Sequence, residues 1–315
     1  MKNVVVFGGG HGLSTILKGI KNIEDINISA IVTVADDGGS TGRIREFYNI
    51  PAMGDIRNVL VALSDDESLF SELMDYRFEG DDNKDIVGHS LGNIILTALT
   101  QMSGSFISSI ETASRLLKVK GRIIPSSLEP LTLYARMDDD TIVRGEANIP
   151  SFTHHIKEIF YDHEAKAYEG AIQVIREADI IIYGIGSLYT SIIPNTVIKG
   201  IREAIHDSKA LKVYFGNCMT QPNETFSYDL KDHVEALKKH GGEVDMVIRH
   251  CDVIPDEILK RYHEENSIEV IDHGDTGLPV WNRDLLTFDL DLVRHDPSKI
   301  KRVVEELVTC PLPQK

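Results

Sequence analysis

The sequence has no lysine- or arginine-rich block, no low-complexity tract, no internal repeat, only three cysteines and no apolar run of membrane-spanning length. Each shortage excludes something. With 33 Lys and Arg against 49 Asp and Glu, the net charge is −16. A nucleic acid or an acidic membrane is repelled by that charge, and no basic patch is there to recruit one. Small phosphate ligands stay open, because loops rather than net charge bind them. Cys218, Cys251 and Cys310 are odd in number and far apart, so they give neither a disulfide framework nor zinc spacing. A reducing cytosol is the simplest expected compartment, and the N-terminus enters a strand with no signal-peptide pattern. What is present is 42% hydrophobic and 26% charged, an ordinary globular composition with ample material for a core.

The chain is organised around Lys2 to Arg45. Val4-Val5-Val6-Phe7 is a short β-branched run suited to a buried parallel strand. Gly8, Gly9, Gly10 and Gly12 follow at once, and Ser14 or Thr15 can start a helix with Ile16, Leu17 and Ile20 on one face. A helix N-terminus behind a glycine loop suits a phosphate. Ile28 to Val34 is a second strand, ending at Asp36-Asp37-Gly38-Gly39-Ser40-Thr41-Gly42-Arg43. Ligands of open α/β sheets sit outside the carboxyl ends of the strands, so both loops face one crevice. An acid after the second strand binds a ribose hydroxyl or a magnesium ion. An ordinary turn with a solvated Asp pair is the bland alternative.

Further along, Asp55 reads as the N-cap of a helix opening at Ile56. Arg57 then lies in the first turn, either aimed at a ligand or at Asp36/Asp37, or simply on the surface. Glu79 to Asp85 is an acidic loop. Gly88-His89-Ser90-Leu91-Gly92 matches the nucleophile-elbow pattern, but no buried strand precedes it. A helix start with Ser90 as cap, and His89 and Asn93 aimed at the crevice, fits better. Residues 120 to 150 read as an antiparallel hairpin with a solvated turn at Asp138-Asp139-Asp140. His154 and His155 are adjacent and face opposite ways on a strand, so they cannot share one metal. Asp179 to Tyr183 is the strongest strand of the second half, and Gly184-Ile185-Gly186-Ser187 then opens a helix that carries Pro194 and continues through Ile205. Asn217 falls at another strand end, able to read a base or sugar hydroxyl or to form a turn. His250 beside Cys251 lacks a third partner for a thiolate. Ile268 to Ile271 reads as a strand, and Arg294 as a phosphate clamp from the far end of the chain or a surface residue. Strands alternate with helices throughout, which predicts one doubly wound, Rossmann-like α/β domain over residues 1–315 with a mostly parallel sheet and a small hairpin embellishment.

GGGHGLS, VADDGGSTGR, GDIRN, GHSLGN and ADIIIYGIGSLYTSIIPN occur in the order and spacing of the bacterial gluconeogenesis factors, and over nearly its whole length the chain resembles that family. The family belongs to the superfamily of the 2-phospho-L-lactate transferases. The resemblance implies a Rossmann-like fold of the transferase type, a cytoplasmic location, a homodimer, and a link to cell shape and wall synthesis during growth on gluconeogenic carbon, with cell-wall synthesis proteins as partners. It implies UDP-N-acetylglucosamine or a similar nucleoside diphosphate ligand. Phosphate contacts then come from Gly9, Gly10, His11, Gly12, Ser14, Gly186 and Ser187. Asp36 and Asp37 are the metal or acceptor-side acids, and Asn93 and Asn217 read sugar or base. Relatives carry Thr where this chain has His11, so imidazole replaces a hydroxyl donor. Two functions use such a cradle: a regulatory binder with no catalytic base, or a magnesium-dependent transferase of phosphorus-containing groups with Asp36 and Asp37 in its chemistry. A nicotinamide dehydrogenase does not fit, because the first loop lacks the G-x-G-x-x-G register.

Overall fold

The computed structural model describes residues 1–65, 69–80, 86–289 and 292–310. Of the acidic loop expected at Glu79 to Asp85, all but Glu79 and Gly80 lies outside the described residues.

Strand β1 (Lys2–Gly8) leads into helix α1 (Gly10–Ile20), followed by β2 (Ile26–Val32), α2 (Gly39–Tyr48), α3 (Gly54–Leu63), α4 (Leu69–Asp75), α5 (Leu91–Ser103), α6 (Phe106–Leu116) and β3 (Arg122–Pro125). An excursion carries β4 (Leu133–Met137), β5 (Ile142–Arg144), a 3-10 turn (Glu146–Ser151) and β6 (Ile156–Tyr161). The chain returns through α7 (Glu169–Arg176) to β7 (Ile180–Tyr183), a π turn (Leu188–Ile192), α8 (Ile193–Thr196), α9 (Lys199–Asp207) and β8 (Leu211–Phe215). It closes with α10 (Leu230–Lys239), β9 (Met246–His250), α11 (Asp256–Glu264), β10 (Val280–Arg283), the hairpin β11 (Leu286–Asp289) and β12 (Leu292–His295), and α12 (Pro297–Thr309).

Seven strands form one sheet in the order β10-β9-β8-β7-β1-β2-β3, and every pairing in it is parallel. Val4, Val6 and Phe7 of β1 and all four residues of β7 have no exposed surface. This is why these strands read as unbroken apolar runs: helices cover both faces of the sheet, and burying each such side chain contributes about 1.5–3 kcal/mol. Chain order reverses between β1 and β7. One half of the sheet grows outward from β1 through β2 and β3, the other from β7 through β8 to β10, so the sheet has its switch point at its centre. No helix among the described residues is long and apolar enough to cross a membrane.

Several expected boundaries move. Helix α1 starts at Gly10 rather than at Ser14 or Thr15, and the Ser14 hydroxyl bonds back to the Gly10 carbonyl at 2.9 Å. Met53, not Asp55, caps α3. The helix expected to run from Pro194 through Ile205 is broken at Val197–Ile198 into α8 and α9. Ile268 to Ile271 is no strand: it makes one bridge, Met219 to Glu269, because the Thr220 hydroxyl takes the Ile268 N–H. The embellishment runs to Tyr161, since β6 pairs with β4 to make a three-stranded antiparallel sheet, whereas β3, inside the expected hairpin region, belongs to the main sheet.

Phe7 stands opposite Tyr183 in the β1–β7 ladder, with their rings stacked 5.7 Å apart. The two glycine loops therefore leave adjacent strand ends. A Cβ at Gly12 would fall 2.1 Å from the Ile185 carbonyl oxygen and 2.6 Å from the Gly186 Cα. Gly12→Ala must separate the loops. The expected result is a loss of about 1–3 kcal/mol in urea unfolding, with amide exchange accelerated at both loops and unchanged in β9.

Candidate functional site

The residues expected to bind phosphate divide into two groups. Gly10, at φ +55°, starts α1 with no side-chain cap and no acidic residue in the first turn. Backbone N–H groups of this turn are thus the donors the loop offers, and His11 stands exposed beside them. The hydroxyls are already engaged. Ser14 bonds within its helix, and Ser187 donates to Glu224 while accepting from the Thr190 amide at 3.0 Å and the Thr190 hydroxyl at 2.7 Å.

The neighbouring strand tips complete the crevice. Asn217, after β8, donates to the Gly186 carbonyl at 3.0 Å, and its Oδ1 is buried without a partner. Asn93, at the start of α5, donates to Ser40 at 3.3 Å and Thr41 at 3.4 Å, and its Oδ1 is likewise unpartnered. His89 meets Ser40 through Nδ1 at 3.0 Å. Asn93 and His89 thus hold the start of α2, just after the acidic pair Asp36 and Asp37. Ser90 begins α5, but its hydroxyl bonds to the Met74 carbonyl instead of capping. Two orphaned acceptors in buried amides are costly unless something supplies donors, and the N–H and O–H groups of a base or sugar do so.

Asp36 and Asp37 part company. Asp36 accepts from the Gly38 amide at 2.8 Å and from the Thr41 hydroxyl, and it faces Asp55. Asp37 turns to the hairpin sheet and accepts from the Ala147 amide at 3.0 Å. Three further acids join them: Asp55, which the sequence offered only as a helix cap, and Glu146 and Glu224, which no motif revealed. Asp55, in the first turn of α3, lies against Gly9 and accepts the Gly10 N–H. Glu146 begins the turn after β5, and Glu224 lies in the loop after β8. Burial, and then the charge of Asp36, push Asp55 up to about 7. Burial raises Glu146 to about 8, aided by Asp36, Asp55, Asp37 and Glu224. Burial raises Glu224 to about 7 against the pull of Ser187. Desolvation and mutual repulsion act together here, as they do in functional carboxylate clusters.

Arg57 is neither a surface residue nor an ion-pair partner of Asp36 or Asp37. It is buried beneath Gly92 and donates to Ser90 and Asn58, tying α3 to α5. Arg294 is exposed on β12, opposite Thr287, and no hydrogen bond among the described residues joins it to the glycine loops. His154 pairs with Asp138 at 3.0 Å while His155 stacks on Tyr228 at 6.3 Å, so the two rings do point apart. His250 is buried and Cys251 exposed.

Raised carboxylates make stability depend on pH with a definite sign. Folded Asp55, Glu146 and Glu224 keep protons that the unfolded chain releases near pH 4, so stability falls as pH rises toward about 8. Buried His233, His250 and His295, whose pKa values burial lowers, act oppositely, but only below about pH 6.5. Between pH 7 and 8.5 these buried histidines no longer contribute, and the acids set the sign, with His163, whose pKa Asp162 raises, acting in the same direction. Melting temperature is expected to drop across that window, and Glu146→Gln to flatten the drop. A flat wild-type profile would contradict the gathering of these acids.

A family model described as 2-phospho-L-lactate transferase CofD matches residues 4–286. A putative gluconeogenesis factor of Aquifex aeolicus is 45% identical, with 97% of this chain and 96% of that protein covered. The gluconeogenesis factor of Bacillus subtilis is 42% identical, with 97% and 98% covered. A crystal structure of a UPF0052 family member from Bacillus halodurans superposes with a TM-score of 0.91 at 41% identity, covering 96% of this chain and 99% of that one. With a full-length match to named gluconeogenesis factors and the same seven-stranded fold, the chain belongs to the 2-phospho-L-lactate transferase CofD family, among its gluconeogenesis factors.

Proposed function

We propose that this protein binds a nucleoside diphosphate sugar, UDP-N-acetylglucosamine or a close relative, and acts as a regulatory gluconeogenesis factor that supports wall synthesis and cell shape during gluconeogenic growth. The cytoplasm, a homodimeric state and partners among wall-synthesis proteins go with that reading. One observation carries it: the glycine loops after β1 and β7 are in van der Waals contact at the switch point, the position at which a pyrophosphate is held in open α/β sheets. Gly9, Gly10, His11, Gly12 and Gly186 supply close backbone approach and N–H donors, except that the Gly10 N–H already goes to Asp55. The free Oδ1 atoms of Asn93 and Asn217 accept from the sugar or base.

The acids favour a second reading, a magnesium-dependent transferase of phosphorus-containing groups. A diphosphate entering beside Asp36 and Asp55 adds negative charge to negative charge, so it requires a proton or a cation there. Magnesium commonly uses one or two carboxylates together with phosphate oxygens and water, and Asp36, with Asp37 at the rim, meets that demand. Bound there, the ion would offset charge on the phosphates and on a leaving group. Glu146, still partly protonated at neutral pH, is placed to give or hold a proton at its carboxyl oxygen.

Calorimetry with UDP-N-acetylglucosamine, GDP and NAD, each with and without magnesium, separates the readings. The regulatory binder predicts tightest binding of the UDP-sugar, and Asp37→Asn holds its affinity within a few-fold. GDP with magnesium binding as tightly or more tightly, with a magnesium-dependent turnover that Asp37→Asn abolishes, establishes the transferase instead.

A further inference from the structure

Beyond the crevice, a cavity of about 660 Å3 lies between α2 and the antiparallel excursion. One face of α2 supplies Gly39, Arg43 and Asn49, and Arg45 also lines the cavity; the opposite wall is built from Thr132, Arg144 and Asn148. Three arginines in one cleft are unusual in a chain of net charge −16. Their partners are more unusual still. Arg45 is buried and donates to the Ala35 and Asp36 carbonyls and to the Thr132 hydroxyl. Arg43 gives one nitrogen to the Val87 carbonyl, and Arg144 gives Nε to the Tyr134 hydroxyl. Among the described residues, none of the three has a carboxylate oxygen within the 4.0 Å of an ion pair, although Asp37 and Glu46 line the same cleft. Asp37 accepts from the Ala147 amide, and its charge acts on Arg45 without a direct contact.

We infer that this cleft is a second binding site, for a small phosphate-bearing metabolite, distinct from the nucleotide crevice. Guanidinium forks with free nitrogens on two walls match the oxygens of a phosphoryl group. The start of α2 adds to them. It has no side-chain cap and no acidic residue in its first turn, and a Cβ built on Gly39 would meet nothing within 4 Å. The helix start at Gly39 and the open space beside it therefore front the same cavity, a setting that favours a compact anion. Asp37 stands on the rim shared with the crevice, so occupancy of the cleft acts on the acidic loop from behind.

Inorganic phosphate is the probe, titrated at fixed ionic strength and followed by amide NMR, which reports each site separately. The expected result is a saturable shift of the Gly39 and Asn148 amides. The double variant Arg43→Ala, Arg144→Ala weakens it at least tenfold, while phosphate-induced shifts at Gly10 and Gly12, and UDP-N-acetylglucosamine affinity, stay within about twofold. Arg144→Gln alone, at an exposed position, weakens it at least threefold and serves if the double variant is unfolded. No shift at Gly39 and Asn148, an unchanged titration in the variants, or parallel loss of UDP-sugar binding overturns the second site. Citrate binding more tightly than phosphate overturns its assignment to a phosphoryl group. Failure of the nucleotide reading shows separately, as absent UDP-sugar binding with the cleft titration intact.

Discussion

The parallel pairing of β1 with β7 is the constraint on which the rest depends. Four residue pairs, Val4 to Phe7 against Ile180 to Tyr183, join strands more than 170 positions apart. That ladder sets the reversal of strand order at the centre of the sheet, and there the two glycine loops meet. Gly12 lies against the Ile185 backbone, and the Asn217 side-chain amide donates to the Gly186 carbonyl. Backbone N–H groups at such a junction suit the phosphates that all nucleotides share. Identity must then be read by side chains around it, among which Asn93 and Asn217 retain acceptors without donors.

Charge is the second theme. The backbone cradle attracts an anion, yet the acids placed beside it repel one. Burial raises the pKa of Asp36, Asp55, Glu146 and Glu224, and neighbouring acids add to the shift of the first three. For the proposed diphosphate, affinity is therefore expected to depend on protons and on divalent cations. The arginine cleft behind Asp37 has the opposite sign. The loop from Asp36 to Arg43 therefore separates a negative pocket from a positive one, and its position is set by Asn93 and His89 on one side and by Ala147 on the other.

Much of this was legible in the residues. Buried parallel strands are continuous apolar runs, so β1, β2, β7 and β8 stand out, and glycine-rich turns after them mark where strands end. The acids Asp55, Glu146 and Glu224 were not legible, because they are gathered by topology from three distant loops and share no spacing. Asp55 resembled a helix cap because its carboxylate does satisfy a helix N–H, but that of α1 rather than of its own α3. Arg57 was legible as misplaced against its helix dipole, but not as buried. Its partner Ser90 comes from α5, and only the packing of Gly92 over its stem removes it from solvent. Ser14 and Ser187 belonged to the right loops, but the fold had already engaged their hydroxyls. The β10 strand is short and polar, and the alternation over Phe288 to Leu292 is too brief to mark the β11–β12 hairpin by itself.

Hydrogen exchange with and without UDP-N-acetylglucosamine tests the central claim most directly, because it reads both loops in one experiment. If one diphosphate is gripped at the switch point, amides from Gly9 to Leu13 and from Gly184 to Leu188 gain protection together, at the same ligand concentration. Protection of one loop without the other, or protection confined to a distant region such as α11, would contradict the account.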